Sequence, residues 1–150
     1  MALHIVLFEP EIPNNTGNIG RLTLASGAHL HLVKPFGFEL SDARVKRAGL
    51  DYWQHVPITI YESIADFYAQ HKYKNLIYFS SHGKKTFWEI PFENDMFLIF
   101  GKESVGLPTE IINENQDKTY KIPLYSERIR SLNLGNAVGI VLYEGLRQLT

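Results

Sequence analysis

The sequence predicts an α/β fold, a mostly parallel sheet with helices on both faces. Three observations predict it. Short, nearly continuous apolar runs recur along the chain, the pattern of strands buried on both sides. Helical stretches alternate with those runs. Polar, glycine-bearing loops at Asn14 to Arg21, Gly101 to Pro108 and Tyr125 to Asn136 stand where such sheets collect ligands, beyond the carboxyl ends of strands. The 150 residues read as one domain, 1–150, long enough to bury a core without disulfide staples.

In order, residues 2–8 predict the first strand. Glu9-Pro10-Glu11-Ile12-Pro13 follows, and its prolines argue against helix, so a helix is expected only over 17–26, closed by Gly27. A second strand over 29–33 is broken by Lys34-Pro35-Phe36-Gly37. Ser41-Asp42 opens a short helix over 42–48 whose polar face carries Arg44, Lys46 and Arg47. A strand over 56–60 precedes a helix over 62–71 that turns Ile64, Phe67 and Tyr68 inward. Strands are expected over 75–80, 96–100 and 120–124, with helical residues 108–114 before the last. The chain closes on Ser131-Leu-Asn-Leu-Gly-Asn-Ala-Val-Gly139, a polar turn that runs into a helix ending at Leu149.

That last helix has two apolar faces. Leu134, Ala137, Val138, Val141, Leu142 and Gly145 make one buried stripe, and Ile140, Tyr143, Leu146 and Leu149 make a second beside it. A wholly buried helix in a monomer fits this pattern, and so does a helix at a dimer contact. Small residues at Gly135, Ala137, Gly139 and Gly145 would let another backbone approach closely.

Composition excludes several classes. With 45% hydrophobic and 21% charged residues and a net charge of −1, the chain carries no overall basic signature, so any attraction to nucleic acid comes from local patches. The absence of cysteine rules out disulfides, a thiolate nucleophile and cysteine zinc sites. The N-terminal apolar run is too short for a signal peptide and no later run approaches a membrane span, so a cytoplasmic location without a membrane partner is expected.

The motifs narrow this further. Gly101-Lys102-Glu103-Ser104 lacks the spacing of a phosphate loop, and no G-x-G-x-x-G follows the first strand. His29 and His31 share a strand face but suggest no third ligand, so no metal is expected. His82 reads as a loop residue, and Ser131 has no evident His/Asp partner. Arg21 follows the Asn/Gly loop and is either a solvated surface arginine or a site residue. Glu103 is either a local cap or a site carboxylate. The Arg44, Lys46, Arg47 run is either a solvated face or a grip on phosphates.

Three motifs in order carry a resemblance: Asn15-Thr-Gly17-Asn18-Ile-Gly-Arg21, then Phe100-Gly-Lys-Glu103-Ser-Val-Gly106-Leu-Pro108, then Ile122-Pro123 with Arg130-Ser131-Leu-Asn133-Leu-Gly-Asn136-Ala-Val. Together they resemble the SpoU branch of the SPOUT RNA methyltransferases over essentially the whole chain. The resemblance implies a C-terminal trefoil knot, S-adenosylmethionine as cofactor and a homodimer through the C-terminal helix. The knot is implied by resemblance alone, since connection rules treat knots as nearly absent. Glu9-Pro-Glu-Ile-Pro13, Arg47-Ala-Gly-Leu-Asp-Tyr52 and the lack of an appended RNA-binding domain are most similar to the small tRNA enzymes that methylate the wobble ribose, cytidine or uridine, of leucine tRNAs. Gly135 is a departure, standing where such enzymes often have serine.

The resemblance also implies roles. Phe79, Gly101, Ile122, Leu124, Ser131 and Leu132 would line the cofactor pocket, and Arg21, Asn15, Glu103, Ser131 and Asn133 would form the catalytic set. Arg21 matches a catalytic arginine; because a guanidinium stays protonated, binding a phosphate and polarising the hydroxyl suits it better than acting as a base. Lys34, Arg44, Lys46, Arg47, Lys84, Lys85, Arg128 and Arg130 are candidates to bind tRNA phosphates. Tyr52, Trp53 and Phe36 are either core or base-stacking residues. The alternatives are 2′-O-methylation of another tRNA or rRNA ribose, a non-catalytic RNA-binding module of the same fold, and a Ser131-dependent hydrolase.

Overall fold

The computed structural model describes residues 2–48 and 50–150; Gly49 of the Arg47-to-Tyr52 motif lies outside the described residues. Strands β1 (His4–Phe8), β2 (His29–Val33), β3 (Ile58–Tyr61), β4 (Leu76–Phe79), β5 (Lys85–Thr86), β6 (Phe97–Phe100) and β7 (Thr119–Lys121) form one sheet in the order β3-β2-β1-β6-β4-β7-β5. Every pairing is parallel. Helices α1 (Pro13–Ser26), α2 (Ala43–Ala48), α3 (Ile64–His71), α4 (Thr109–Glu114) and α5 (Leu134–Leu149) connect and cover it.

The continuous apolar runs are explained by burial on both faces. Ile5, Leu7, Leu30, Leu32, Leu98 and Phe100 pack with Ile19 of α1 and Val138, Val141 and Leu142 of α5. Their strand neighbours Val6, Phe8, Val33, Tyr78 and Ile99 pack on the other face with Phe67 of α3 and Leu107. Each such fully buried side chain contributes about 1.5–3 kcal/mol relative to exposure.

The proline argument fails at one point, because α1 begins four residues before the expected Gly17, at Pro13. Proline in the first turn lacks an N–H that would have no intrahelical partner anyway, and its fixed φ suits a helix. Gly27 closes the helix as expected, with φ 72° and its N–H on Leu24 O. The third strand starts at Ile58 rather than residue 56, and the two-residue β5 carries no sequence pattern of its own.

In α5, Val138, Val141, Leu142 and Gly145 are buried as the stripe requires. The second apolar face divides: Leu146 and Leu149 pack against the core, while Ile140 and Tyr143 are 42% and 48% exposed. At the other end, β7 lies between β4 and β5, and a Cβ at Gly83 in the connection between those two strands would stand 2.7 Å from the Tyr120 carbonyl carbon. Only glycine lets the connection pass so close to β7.

Parallel register gathers histidines on the α3 face. His4 pairs with His29 across β1 and β2. His4 Nδ1 and His31 Nε2 share a hydrogen bond of 2.9 Å, His31 Nδ1 and the Tyr61 hydroxyl one of 2.7 Å, and that hydroxyl and His71 Nε2 one of 2.8 Å. His29 meets Thr59 Oγ1 at 2.8 Å, so His29 and His31 are structural here. Among the described residues no group of three or more His, Cys, Asp or Glu could hold a metal ion, and no helix is long and apolar enough to cross a membrane.

Candidate active site

The sheet order places β1 between β2 and β6, so the connections leaving β1 and β6 diverge and leave a crevice beyond their carboxyl ends. The turn after β6 forms one wall. A Cβ at Gly101 would lie 2.1 Å from the Gly106 carbonyl carbon, so any side chain there collides with backbone. Gly106 has φ 74°, and its N–H donates to Lys102 O at 2.9 Å to close the turn.

Glu103 ties this turn to α1. Its Oε1 accepts from Glu11 N at 2.8 Å, and its Oε2 accepts from Ile12 N at 3.0 Å and from Asn15 Nδ2 at 3.2 Å. The carboxylate thus serves the N-terminus of α1, whose N-cap Ile12 has no side chain able to do so. Glu11 reciprocates by accepting from Ser104 N at 2.8 Å, and the Ser104 side chain first, then its backbone N–H, hold the Glu11 carboxyl below the usual carboxylate range. A third loop joins through Asn133, whose Nδ2 donates to Asn15 Oδ1 at 3.0 Å while its Oδ1 accepts from Asn136 N at 3.3 Å and caps α5. A Cβ at Gly135 would approach that Oδ1 to 3.2 Å, so glycine there leaves the capping carboxamide unhindered.

Between these loops opens a cleft of about 810 Å³. All six residues assigned to the cofactor line it: Phe79, Gly101, Ile122, Leu124, Ser131 and Leu132. Asn15, Glu103 and Asn133 of the catalytic set line it too, with Arg130 at its edge. Sequence reasoning missed Ile12 and the strip Ser80, Ser81, His82, although a Ser-Ser-His-Gly loop directly after β4 occupies the position that the ligand rule singles out. The volume falls in the range of small-molecule sites, and the apolar Phe79, Ile122, Leu124 and Leu132 beside polar Asn15, Ser80 and Ser131 fit a ligand with an aromatic base and a polar tail.

Arg21 is not among the cleft residues; it is exposed on α1, with Cζ 5.7 Å from the ring centroid of Tyr52. Tyr52 is 47% exposed, whereas Trp53 and Phe36 are half-buried against the core. Of the cations, Lys34 pairs with Glu62 at 3.2 Å and Arg44 with Asp42 at 2.9 Å. Lys46, Arg47, Lys84, Lys85, Arg128 and Arg130 are exposed. A smaller groove of about 590 Å³ runs between α1 and the start of α5, past Asn18, Leu22, Asn133, Asn136 and Ile140.

Residues 2–143 match the SpoU rRNA Methylase family. This chain belongs to that family. A tRNA (cytidine(34)-2′-O)-methyltransferase of Saccharophagus degradans is 42% identical over 147 residues, covering 97% of this chain and 95% of the relative. A solved structure concerned with 2-OH methylation of C/U34 on tRNA superposes with a TM-score of 0.92 at 44% identity, covering 99% of this chain and 96% of that one. The AdoMet-bound rRNA methyltransferase of Sinorhizobium meliloti superposes at 0.88 with 26% identity, and this chain covers 57% of its length.

Proposed function

We propose that this SpoU methylase transfers the methyl group of S-adenosylmethionine to the ribose 2′-hydroxyl of the wobble nucleotide, cytidine or uridine, of leucine tRNAs. The observation that carries the reading is the cleft: three loops far apart in sequence converge on it, and every residue assigned to the cofactor lines it. Phe79, Ile122, Leu124 and Leu132 would hold the adenine by apolar contact, and Ser131 and Gly101 would face its polar groups. When bound, the cofactor supplies an electrophilic methyl on sulfonium, so no metal or covalent nucleophile is required of the protein. The chain's own work is then alignment.

Arg21 would bind a phosphate next to the reacting nucleotide and polarise the 2′-hydroxyl, with Asn15, Glu103, Ser131 and Asn133 shaping the pocket. Its exposure outside the cleft of its own chain, together with the exposed Ile140 and Tyr143 on α5, supports a homodimer in which a second subunit completes each site. The passage of β7 between β4 and β5 supports a trefoil knot in the C-terminal half. Lys46, Arg47, Arg128 and Arg130 would meet tRNA phosphates, and the cytoplasm is the expected compartment.

The test is methyl transfer from labelled S-adenosylmethionine to unmodified total tRNA, with nuclease mapping of the labelled nucleotide. Label on the wobble ribose of leucine tRNAs is the expected result. Label at another ribose would keep the enzyme and overturn the substrate, and cofactor binding without transfer to any RNA would leave a non-catalytic RNA-binding module. Arg21→Ala is expected to abolish transfer while cofactor affinity stays within about twofold, because the residue is assigned to the RNA phosphate and hydroxyl and not to the cofactor.

A further inference from the structure

Arg21 and Tyr52 meet at a seam between α1 and the 3₁₀ turn Leu50–His55. The seam is set by the adjacent pair, Gly20 and Trp53. A Cβ at Gly20 would stand 2.5 Å from Trp53 Cζ3 and 2.7 Å from Cε3, so the indole lies directly on bare α1 backbone. Trp53 O accepts from Val56 N at 3.2 Å, and buried Val56 anchors the end of the turn in the core. One residue along on each segment, Arg21 and Tyr52 face solvent, with the guanidinium carbon 5.7 Å from the ring centroid, inside cation–π range. Among the described residues no carboxylate forms an ion pair with Arg21.

We propose that Tyr52 is a positioning residue for Arg21: its ring, locked in place by Trp53 on Gly20, holds the guanidinium and keeps its N–H edge free for the RNA. A carboxylate partner would occupy that edge and neutralise the charge. An aromatic ring attracts the cation through its π cloud and consumes no donor. A long, flexible side chain is thereby ordered before the substrate arrives, which favours the reacting geometry rather than ground-state binding. This inference rests on the reading of Arg21 as the residue that acts at the ribose hydroxyl.

The experiment is steady-state methyl transfer to unmodified tRNA by the full chain and by Tyr52→Phe, Tyr52→Leu, Tyr52→Gln, Arg21→Ala and the Arg21→Ala/Tyr52→Leu double variant, with single-turnover assays where rates are low. Tyr52→Leu and Tyr52→Gln should each lower kcat about fivefold, with KM for tRNA and cofactor affinity within about twofold. Tyr52→Phe, which keeps the ring, should restore the rate to within about twofold of the parent. Any residual transfer that remains in Arg21→Ala at single turnover should not fall further with Tyr52→Leu, since the two act as a unit. A raised KM with unchanged kcat would mean that Tyr52 stacks on a base of the RNA and would overturn the proposal. So would a Phe variant as slow as Leu, an additive double variant, or full activity in both non-aromatic variants. Undiminished turnover in Arg21→Ala alone would instead sink the role given to Arg21, whatever Tyr52 does.

Discussion

Acidification should loosen this protein through one buried side chain, His31. It is 4% exposed between Phe97, Phe67 and Tyr61, with both ring nitrogens in hydrogen bonds to His4 and Tyr61. Burial first, then the neighbouring His29, His4 and His71, pushes its pKa down to about 3 from 6.5. The folded state therefore holds a neutral ring across a range in which the unfolded chain would take up a proton. Stability from this group is complete above about pH 6.5 and is lost as the pH falls toward about 3. At pH 5 the solution is about 1.5 units below the pKa of the unfolded imidazole, so His31 alone removes about 2 kcal/mol. His4, His29 and His71 are shifted the same way, each mainly by burial, and add to the loss.

Urea unfolding at intervals from pH 7.5 to 5 measures this directly. Most carboxylates titrate below that window, so the slope reports on histidine. The His31 share of about 2 kcal/mol alone corresponds to a Tm lowered by about 4–8 °C for a chain of this size, and the total fall should be at least that large. His31→Phe should cost about 1–2 kcal/mol at pH 7.5, because it strips hydrogen bonds from His4 and Tyr61, yet its stability should decline less with acid. A parent protein whose stability is flat across the window would refute the reasoning. An unchanged slope in His31→Phe would place the effect elsewhere.

Two further outcomes follow from the cleft walls. Gly101→Ala should destabilise the chain by about 3 kcal/mol and weaken S-adenosylmethionine binding, as read by urea unfolding and cofactor titration, because the new methyl meets backbone that cannot move aside; unchanged cofactor affinity would contradict this. Glu103→Ala should cost about 1–3 kcal/mol, since three donors from residues 11, 12 and 15 lose their acceptor, and cofactor affinity should fall with it; a loss of turnover with stability and cofactor affinity intact would instead give Glu103 a direct chemical role.

Much of the architecture was legible because two-sided burial writes itself into sequence. The runs at β1, β4 and β6 have no polar face, and the parallel sheet follows from that. Loops at the carboxyl ends of strands could be named as a site before any contact was known. Features that depend on register or neighbours could not. His4 and His71 lie far from His31 in the chain, and only the pairing of β1 with β2 and the docking of α3 bring them together. Periodicity marked four residues on the second face of α5, but it could not say that Leu146 and Leu149 meet the core while Ile140 and Tyr143 do not. Pro13 misled because the same ring that breaks a helix interior suits a helix start. The insertion of β7 between β4 and β5 leaves its trace in Gly83, whose close approach to Tyr120 no local pattern announces.

The hydrogen bonds also sort the residues that the resemblance grouped as catalytic. Both oxygens of Glu103 are taken by Glu11, Ile12 and Asn15, and the Asn133 carboxamide is divided between Asn15 and the start of α5. These three side chains bind the walls of the cleft to one another, and little of their capacity is left for a substrate. Among the described residues, Arg21 and the hydroxyl of Ser131 form no side-chain hydrogen bond; both side chains are exposed, and of the two Ser131 lines the cleft. A site built this way spends its polar groups on fixing geometry. That suits a transfer in which the electrophile is already activated and orientation is what the protein has to provide.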